Sequence, residues 1–360
     1  MASRATVEKW LHELTHISTA SGLEQGVVRW VTGWVTRRPE LTLVTDSGGN
    51  LLITQKGRKR HPLVLAVAHM DHPAFVVTDS NELAYQFRGG VDEVYFDRAR
   101  IRLARTGETF IVESYDPKTS TGVLRPEGKV SARTDDIGTW VFARDPGARG
   151  LFQAPACDDL AGVAASLAAL DITRKRPGLK HFGVLLTRAE EVGLVGALHA
   201  AKHQTVPVDS RIISIETSRE LPTAPIGAGP IIRTGDRSTV FDRDMTNRIS
   251  QAAAAAGVEH QRKLMDGGGC EATAFGGFGY QAAGLCVALR NWHNRGNLDA
   301  VQSGKGSPMP MMEAISLDDF HGLSDLILIA AQAVDQEDSL RARLDDLYQS
   351  QAHVLQPRVR

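Results

Sequence analysis

Strand–helix alternation on either side of a block of short β-type runs predicts an α/β fold interrupted by an inserted small β domain. Three observations carry this. Leu63 to Ala68 is an unbroken apolar run, as expected of a strand buried on both faces of a sheet. After Pro155, helical and strand patterns alternate as far as Val334. Between these regions, from about 74 to 152, short β-type runs are separated by Gly, Pro and Asp with no sustained helical period. That texture reads as a small barrel or sandwich.

The elements follow in order. Val7, Trp10, Leu11 and Leu14 have helical spacing. Ser21-Gly22-Leu23-Glu24 has capping-box spacing, so a second helix is expected from Ser21 to about Thr36. Leu41 to Thr45 and Asn50 to Thr54 flank Ser47-Gly48-Gly49 and read as a hairpin. Within the inserted block, Ala99 to Leu103, Thr109 to Glu113, Gly122 to Leu124 and Thr139 to Ala143 read as strands. Beyond it come a helix over Asp159 to Asp171, a strand over His181 to Leu186 and a helix over Ala197 to Lys202. A strand over Ile212 to Ile215, a helix over Phe241 to Ala256, a strand over Gly284 to Leu289 and a closing helix over Leu317 to Val334 complete the pattern.

Composition narrows the function classes. A chain of 360 residues with net charge −1 has no electrostatic footprint for nucleic acid or an anionic membrane. The basic run Lys56 to His61 reads as a solvated turn. No apolar run reaches the roughly 18–20 residues that span a bilayer. The amino terminus lacks the layout of a signal peptide. Cys157, Cys270 and Cys286 are odd in number and widely spaced, which argues for a reducing compartment, the cytoplasm. Gly267-Gly268-Gly269 carries neither a dinucleotide fingerprint nor a Walker pattern and reads as a tight turn. The tail from Asp335 to Arg360 is charged and favours helix.

In open α/β sheets, sites form at the carboxyl ends of strands. Five acidic or imidazole clusters lie there: His69-Met70-Asp71-His72, Cys157-Asp158-Asp159, Glu190-Glu191, Glu216 and His293. Singly, each has an ordinary explanation as a hydrogen-bonded histidine, a helix cap or a solvated pair. Together they would place several carboxylates at one sheet edge, which is costly without a cation. Nitrogen and carboxylate donors without thiolate fit zinc, with cobalt or manganese as substitutes. Two histidines and three carboxylates exceed the needs of one catalytic zinc and suit two ions about 3.5–4 Å apart. Cys157 reads as a small buried residue rather than a ligand.

These clusters, in this order, resemble the co-catalytic metallopeptidases of the tetrahedral aminopeptidase and glutamyl aminopeptidase family over residues 5 to 335. The resemblance is carried by His69-Met70-Asp71, by Asp158-Asp159-Leu160-Ala161-Gly162 and by Glu190-Glu191-Val192-Gly193-Leu194-Val195-Gly196-Ala197. Gly227 to Ile232 and Gly267 to Ala272 look like the family's glycine-rich segments. It implies a mixed-sheet α/β/α metallopeptidase domain, residues 1–73 and 153–345. It also implies an inserted PDZ-like β-barrel, residues 74–152, with a role in oligomerisation and substrate access, and a tail, 346–360. It further implies an aminopeptidase acting on short peptides with two divalent ions per chain. His69, Asp158, Glu191, Glu216 and His293 would hold the ions, with Asp158 bridging. Glu190 would be the general base and Asp71 would orient the His69 ring. A homo-oligomer, from dimer to dodecamer, is implied as well. The chain departs from the family in having Glu216 where Asp is usual and Cys270-Glu271 where Thr-Asp is usual. A long Asn294–Pro310 stretch, expected to rim the pocket, also precedes Glu313. Glu216 keeps open a dinuclear deacylase or carboxypeptidase acting on N-acyl amino acids. A non-catalytic scaffold would be expected to have lost at least one of the ligand or base residues.

Overall fold

The computed structural model describes residues 2–57, 62–334 and 339–355. Most of the basic run Lys56 to His61 and the ends of the tail, 335–338 and 356–360, lie outside the described residues. The first two helices are α1 (Arg4–Thr15) and α2 (Gln25–Thr36). Ser3 caps α1, its Oγ accepting from the Thr6 N–H. The helix α2 starts four residues later than its capping-box spacing predicts, because Ser21 and Glu24 are drawn elsewhere. Ser21 Oγ donates to Asp71, and the buried Glu24 carboxylate accepts from Gly22 N, Ala189 N and the Arg188 side chain.

An eight-stranded mixed sheet forms the centre of the larger unit. Its strands are β1 (Leu41–Thr45), β2 (Leu51–Gln55) and β3 (Val64–His69), then, beyond the barrel, β11 (Phe182–Thr187), β12 (Arg211–Arg219), β13 (Ile231–Gly235), β14 (Gln261–Leu264) and β15 (Gln281–Leu289). The order is β1-β2-β11-β3-β12-β15-β13-β14. The central strands β11, β3, β12 and β15 run parallel, and each of these is buried over most of its length on both faces. The β1–β2, β2–β11 and β13–β15 pairings are antiparallel, which makes the sheet mixed.

Helices cover both faces. On one lie α1, α2, α3 (Leu160–Thr173), α5 (Arg243–Ala255) and α8 (Leu317–Ala333), closing the main core around Leu11, Trp34, Leu167, Phe182 and Phe320. Nearly every residue of α3 is buried, which suits its Ala/Leu sequence and its place between the sheet, α1 and α8. On the other face α4 (Val195–Lys202) and α6 (Glu271–Gly277) cover a second cluster with Leu65, Val67, Phe275 and Tyr280. Short helix α7 (Leu298–Gln302) follows the last sheet strand, and α9 (Ser339–Gln351) is the helix expected of the tail.

Between β3 and the rest of the sheet the chain builds a closed six-stranded barrel. Its strands are β4 (Ala74–Asp79), β5 (Ala84–Arg88), β6 (Arg100–Leu103), β7 (Thr109–Asp116), β8 (Thr121–Pro126) and β9 (Ile137–Trp140). The interior is aromatic: Phe75 packs edge-on to Trp140 and Phe87, with Tyr85, Phe96 and Phe110 also fully buried. A short strand β10 (Phe152–Ala154) then returns to the larger unit and pairs with Glu313–Ile315. No helix among the described residues is long and apolar enough to cross a membrane.

Candidate metal centre and active site

Sheet register explains why distant residues meet. His69 ends β3 and lies beside Thr187 of β11. On its other side β12 pairs with β3 as far as Ser214 opposite Val67. Two residues further along each strand, Glu216 comes level with His69, and in-register neighbours point to the same side of a sheet. Glu216 therefore lies inside β12 rather than after it, the strand running on to Arg219.

Asp158 immediately precedes Asp159, which stands at the N-cap position of α3 without a side-chain capping bond. Gly162 is required there: a Cβ at this position would fall 2.2 Å from an Asp159 oxygen. Glu190 and Glu191 occupy the loop after β11, with Ala189 and Leu194 in the left-handed region. Gly196 lets α4 start tight against this loop, since a Cβ would collide with the Arg188 backbone. His293 sits in a turn where Asn291, His293 and Asn294 all have positive φ. Such conformations persist only where the surroundings over-determine them. Here Asn291 donates to Asp145 and to Met312 O, His293 N to Glu313, and Asn294 to Pro155 O and Met311 O.

The site residues converge on one cavity of about 860 Å³. His69 Nε2 lies 3.3 Å from Asp158 Oδ1, and His293 Nε2 lies 3.6 Å from Asp158 Oδ2 and 3.3 Å from Glu191 Oε2. Two donor groups share Asp158: His69, Asp158 and Glu216 in one, and Asp158, Glu191 and His293 in the other. Each could hold a metal ion. Asp158 Oδ1, Glu191 Oε1 and Glu216 Oε1 are buried without a hydrogen-bond partner among the described residues. Orphaned carboxylate oxygens of this kind are expensive unless a cation takes them. This donor set, imidazole nitrogen and carboxylate oxygen, is of a kind that can hold divalent metal.

The electrostatics agree with that fit. Burial and the neighbouring carboxylates push Glu191 well above the usual range, and burial with Glu271 does the same to Glu216. Glu190 is pushed up to about 8, first by burial and then by the surrounding acids, against the pull of His69. Asp158 is held down despite burial by its contacts with His293 and His69. Burial opposes a charged His69, but Asp158 and Asp71 outweigh it and hold the ring well above its usual value. His72 does not join either donor group. Its Nδ1 lies 2.5 Å from the Asp158 carbonyl, and burial draws its pKa down to about 4.

Asp71 does more than the sequence reading assigns to it. The nearest partner of His69 Nδ1 is the Asp71 backbone carbonyl at 3.1 Å, with the carboxylate at 3.5 Å. That carboxylate accepts from Glu190 N, Glu191 N and Ser21 Oγ, clamping the acidic loop. Cys157 is buried, its thiol pushed well up by burial. Glu271 is buried as well and accepts from the Thr187 and Ser214 hydroxyls, away from the cavity wall. From the Asn294–Pro310 stretch, Arg295 and Gln302 line the pocket.

Sequence reasoning missed several residues. Glu313, fully buried, accepts from Cys157 N, Asp158 N and His293 N, and so ties both ends of the site together. The Gly90 carbonyl, from the loop after β5, accepts from His293 Nδ1 at 2.7 Å. Arg233 Nη1 stands 4.0 Å from Glu216 Oε1. Only a carboxyl with no other obvious use, Glu313, left a trace in the sequence.

Comparison with known proteins fits this geometry. Residues 135–303 match the profile of the M42 glutamyl aminopeptidase family, a span that holds Asp158, Glu190, Glu191, Glu216 and His293. A curated Acetivibrio thermocellus protein whose name suggests an aminopeptidase is 23% identical over 63% of this chain and 73% of its own. Two solved structures share the fold. The Pyrococcus horikoshii TET1 peptidase, described as assembling into a tetrahedron or an octahedral shell, is 20% identical over 93% of this chain and 100% of that one, with a TM-score of 0.71. An aminopeptidase from Desulfurococcus kamchatkensis is 20% identical over 92% and 96%, also at 0.71. This chain thus resembles the M42 glutamyl aminopeptidases in sequence and carries the fold of the tetrahedral aminopeptidases.

Proposed function

We propose that the chain is a co-catalytic metallo-aminopeptidase that removes amino-terminal residues from short peptides. The match to a peptidase family supports the reaction class. The observation that carries the metal chemistry is the pair of donor groups sharing Asp158, with three of their carboxylate oxygens buried and unpartnered. His69 and Glu216 would hold one divalent ion, His293 and Glu191 the other, with zinc favoured and cobalt or manganese able to replace it. When bound, the ions supply Lewis acidity to an attacking water and to the scissile carbonyl.

The chain's own residues do the rest. Glu190 reaches into the cavity with Oε2 4.0 Å from His69 Nε2. Its raised pKa suits a group that takes a proton from water and returns it to the leaving amine. The Asp71 clamp holds the Glu190 backbone, which fixes where that proton goes. The loop after β5 closes one side of the cavity through Gly90, Val91 and Asp92. In this reading the barrel shapes substrate access. The assemblies named for structural neighbours support a homo-oligomer, and the three free, buried cysteines are in keeping with a cytoplasmic protein.

Glu190→Gln tests the mechanism. Metal content should stay near that of the wild type while turnover of amino-acid p-nitroanilides falls at least about 100-fold. Near-normal turnover in metal-loaded protein would reject Glu190 as the base. Glu216 favours a second reading, a deacylase or carboxypeptidase. Turnover of N-acetylated amino acids with none of free-amine substrates would establish that reading instead.

A further inference from the structure

Beside the bridging aspartate stands a tryptophan that the reading above leaves unused. Trp292 Nε1 donates to Asp158 Oδ2 at 2.9 Å. Its ring lies against the His293 imidazole, with centroids 4.1 Å apart, and the Arg295 guanidinium sits 4.5 Å from the ring centroid. The indole is partly buried, packs on the main core and lines the cavity. The strained turn that carries His293 also carries Trp292, and Glu313 anchors that turn through His293 N. The donor is therefore fixed in direction as well as distance.

The two oxygens of Asp158 are left unequal. Oδ1 has no hydrogen-bond donor among the described residues and faces His69, whereas Oδ2 faces His293 and already carries the indole N–H. A carboxylate oxygen has two lone-pair directions, so the indole takes one on Oδ2 and leaves the other for a ligand. Without that bond only the contacts with His69 and His293 resist a turn of the carboxylate about its Cβ–Cγ bond.

We propose that Trp292 is a positioning residue: its N–H sets the rotation of the Asp158 carboxylate, so that Oδ2 addresses an ion held by His293 and Glu191 while Oδ1 addresses one held by His69 and Glu216. This rests on the two-ion reading above. Supporting groups around metal ligands typically contribute 10–100-fold to metal affinity, and the same scale is expected here. Turning the carboxylate moves both oxygens, so both ions should feel the loss, and the ion in the His293–Glu191 group should feel it more because the bond lost is to Oδ2.

The test compares wild type with Trp292→Phe, which keeps the aromatic packing and removes the donor. A second variant carries 3-benzothienylalanine at position 292, the same shape with sulfur in place of N–H, in case Phe disturbs the fold. Zinc affinities come from competition with a chromophoric chelator, and coordination geometry from visible absorption after stepwise addition of cobalt. The expected result is two bound ions in wild type. In either variant one ion should weaken about 10-fold or more, and its cobalt bands should change more than those of the other ion. Wild-type tryptophan emission should respond to that same ion, and the response should vanish in the Phe variant. Unchanged affinities and cobalt spectra in the variants would overturn the role of Trp292 and leave the two-ion reading standing. A wild-type protein that binds no zinc would overturn both.

Discussion

Glutamine at position 313 separates an acceptor from its isostere at the point where the two ends of the site are tied. Glu313 Oε2 accepts from Cys157 N at 2.7 Å and Asp158 N at 2.9 Å, and Oε1 accepts from His293 N at 2.8 Å. Burial and Asp158 push this carboxyl well up, yet in either protonation state its oxygens have lone pairs to offer. An amide NH2 has none. The best glutamine rotamer keeps the two bonds on the Asp158 side and turns its NH2 against the His293 N–H. One buried donor left without a partner costs about 1–3 kcal/mol. Loss of the anchor beneath His293 should also weaken the adjoining ion about 10–100-fold, which is about 1.4–2.8 kcal/mol. Urea unfolding of chelated protein would measure the first, with the slope unchanged, and competitive zinc titration the second. A Glu313→Gln protein within about 0.5 kcal/mol of wild type, well below one orphaned buried donor, and with unchanged zinc affinity would refute the anchoring argument.

Other outcomes follow from the same geometry. In chelator, thermal stability should fall as pH rises from about 5 to 8: the folded protein holds protons on Glu190, with its pKa near 8, that the unfolded chain releases near its ordinary value. Glu191, Glu216 and Glu313 are shifted in the same direction and add to this trend. With zinc present the slope should reverse, since metal ligands must be deprotonated; scanning calorimetry at several pH values would check both arms, and a flat or rising curve in chelator would contradict the buried-acid account. Asp71→Asn should lower turnover about 10–100-fold by weakening the Glu190–Glu191 clamp and the support of His69, and wild-type kinetics would show the clamp is dispensable. Glu216→Asp draws the carboxylate back by one methylene and should weaken one of two ions about 10-fold, the usual scale for disturbed metal support, visible as separation of two steps in a zinc titration.

The fold was legible where burial is continuous or periodic. Leu63 to Ala68, the Ala/Leu helix after Asp159 and the strand before Glu190 are buried on every side, so composition alone marks them. The barrel's first two strands, β4 and β5, escaped for different reasons: β4 is a four-residue apolar run buried at every position before Thr78-Asp79, with no period to mark it, and β5 alternates buried Tyr85 and Phe87 with less buried neighbours over only five residues. Ser21 and Glu24 misled because side chains with capping-box spacing were drawn to long-range partners, Asp71 for one and the Arg188 side chain and Ala189 N for the other. The five metal-ligand candidates could be read because each stands within, at the end of or beyond an apolar strand run, and the fold then delivers them to one cavity. Glu313 was noted without a role, and Trp292 and the Gly90 carbonyl were not noted, since their value lies in hydrogen bonds across 134 to 203 residues of chain.

Anomalous scattering from crystals grown with zinc addresses the paired-ion claim directly. Two peaks are predicted about 3.5–4 Å apart, the spacing of co-catalytic sites, one beside His69 and Glu216 and the other beside His293 and Glu191, with Asp158 between them. Zinc bound elsewhere, or none in that cavity, would contradict the account.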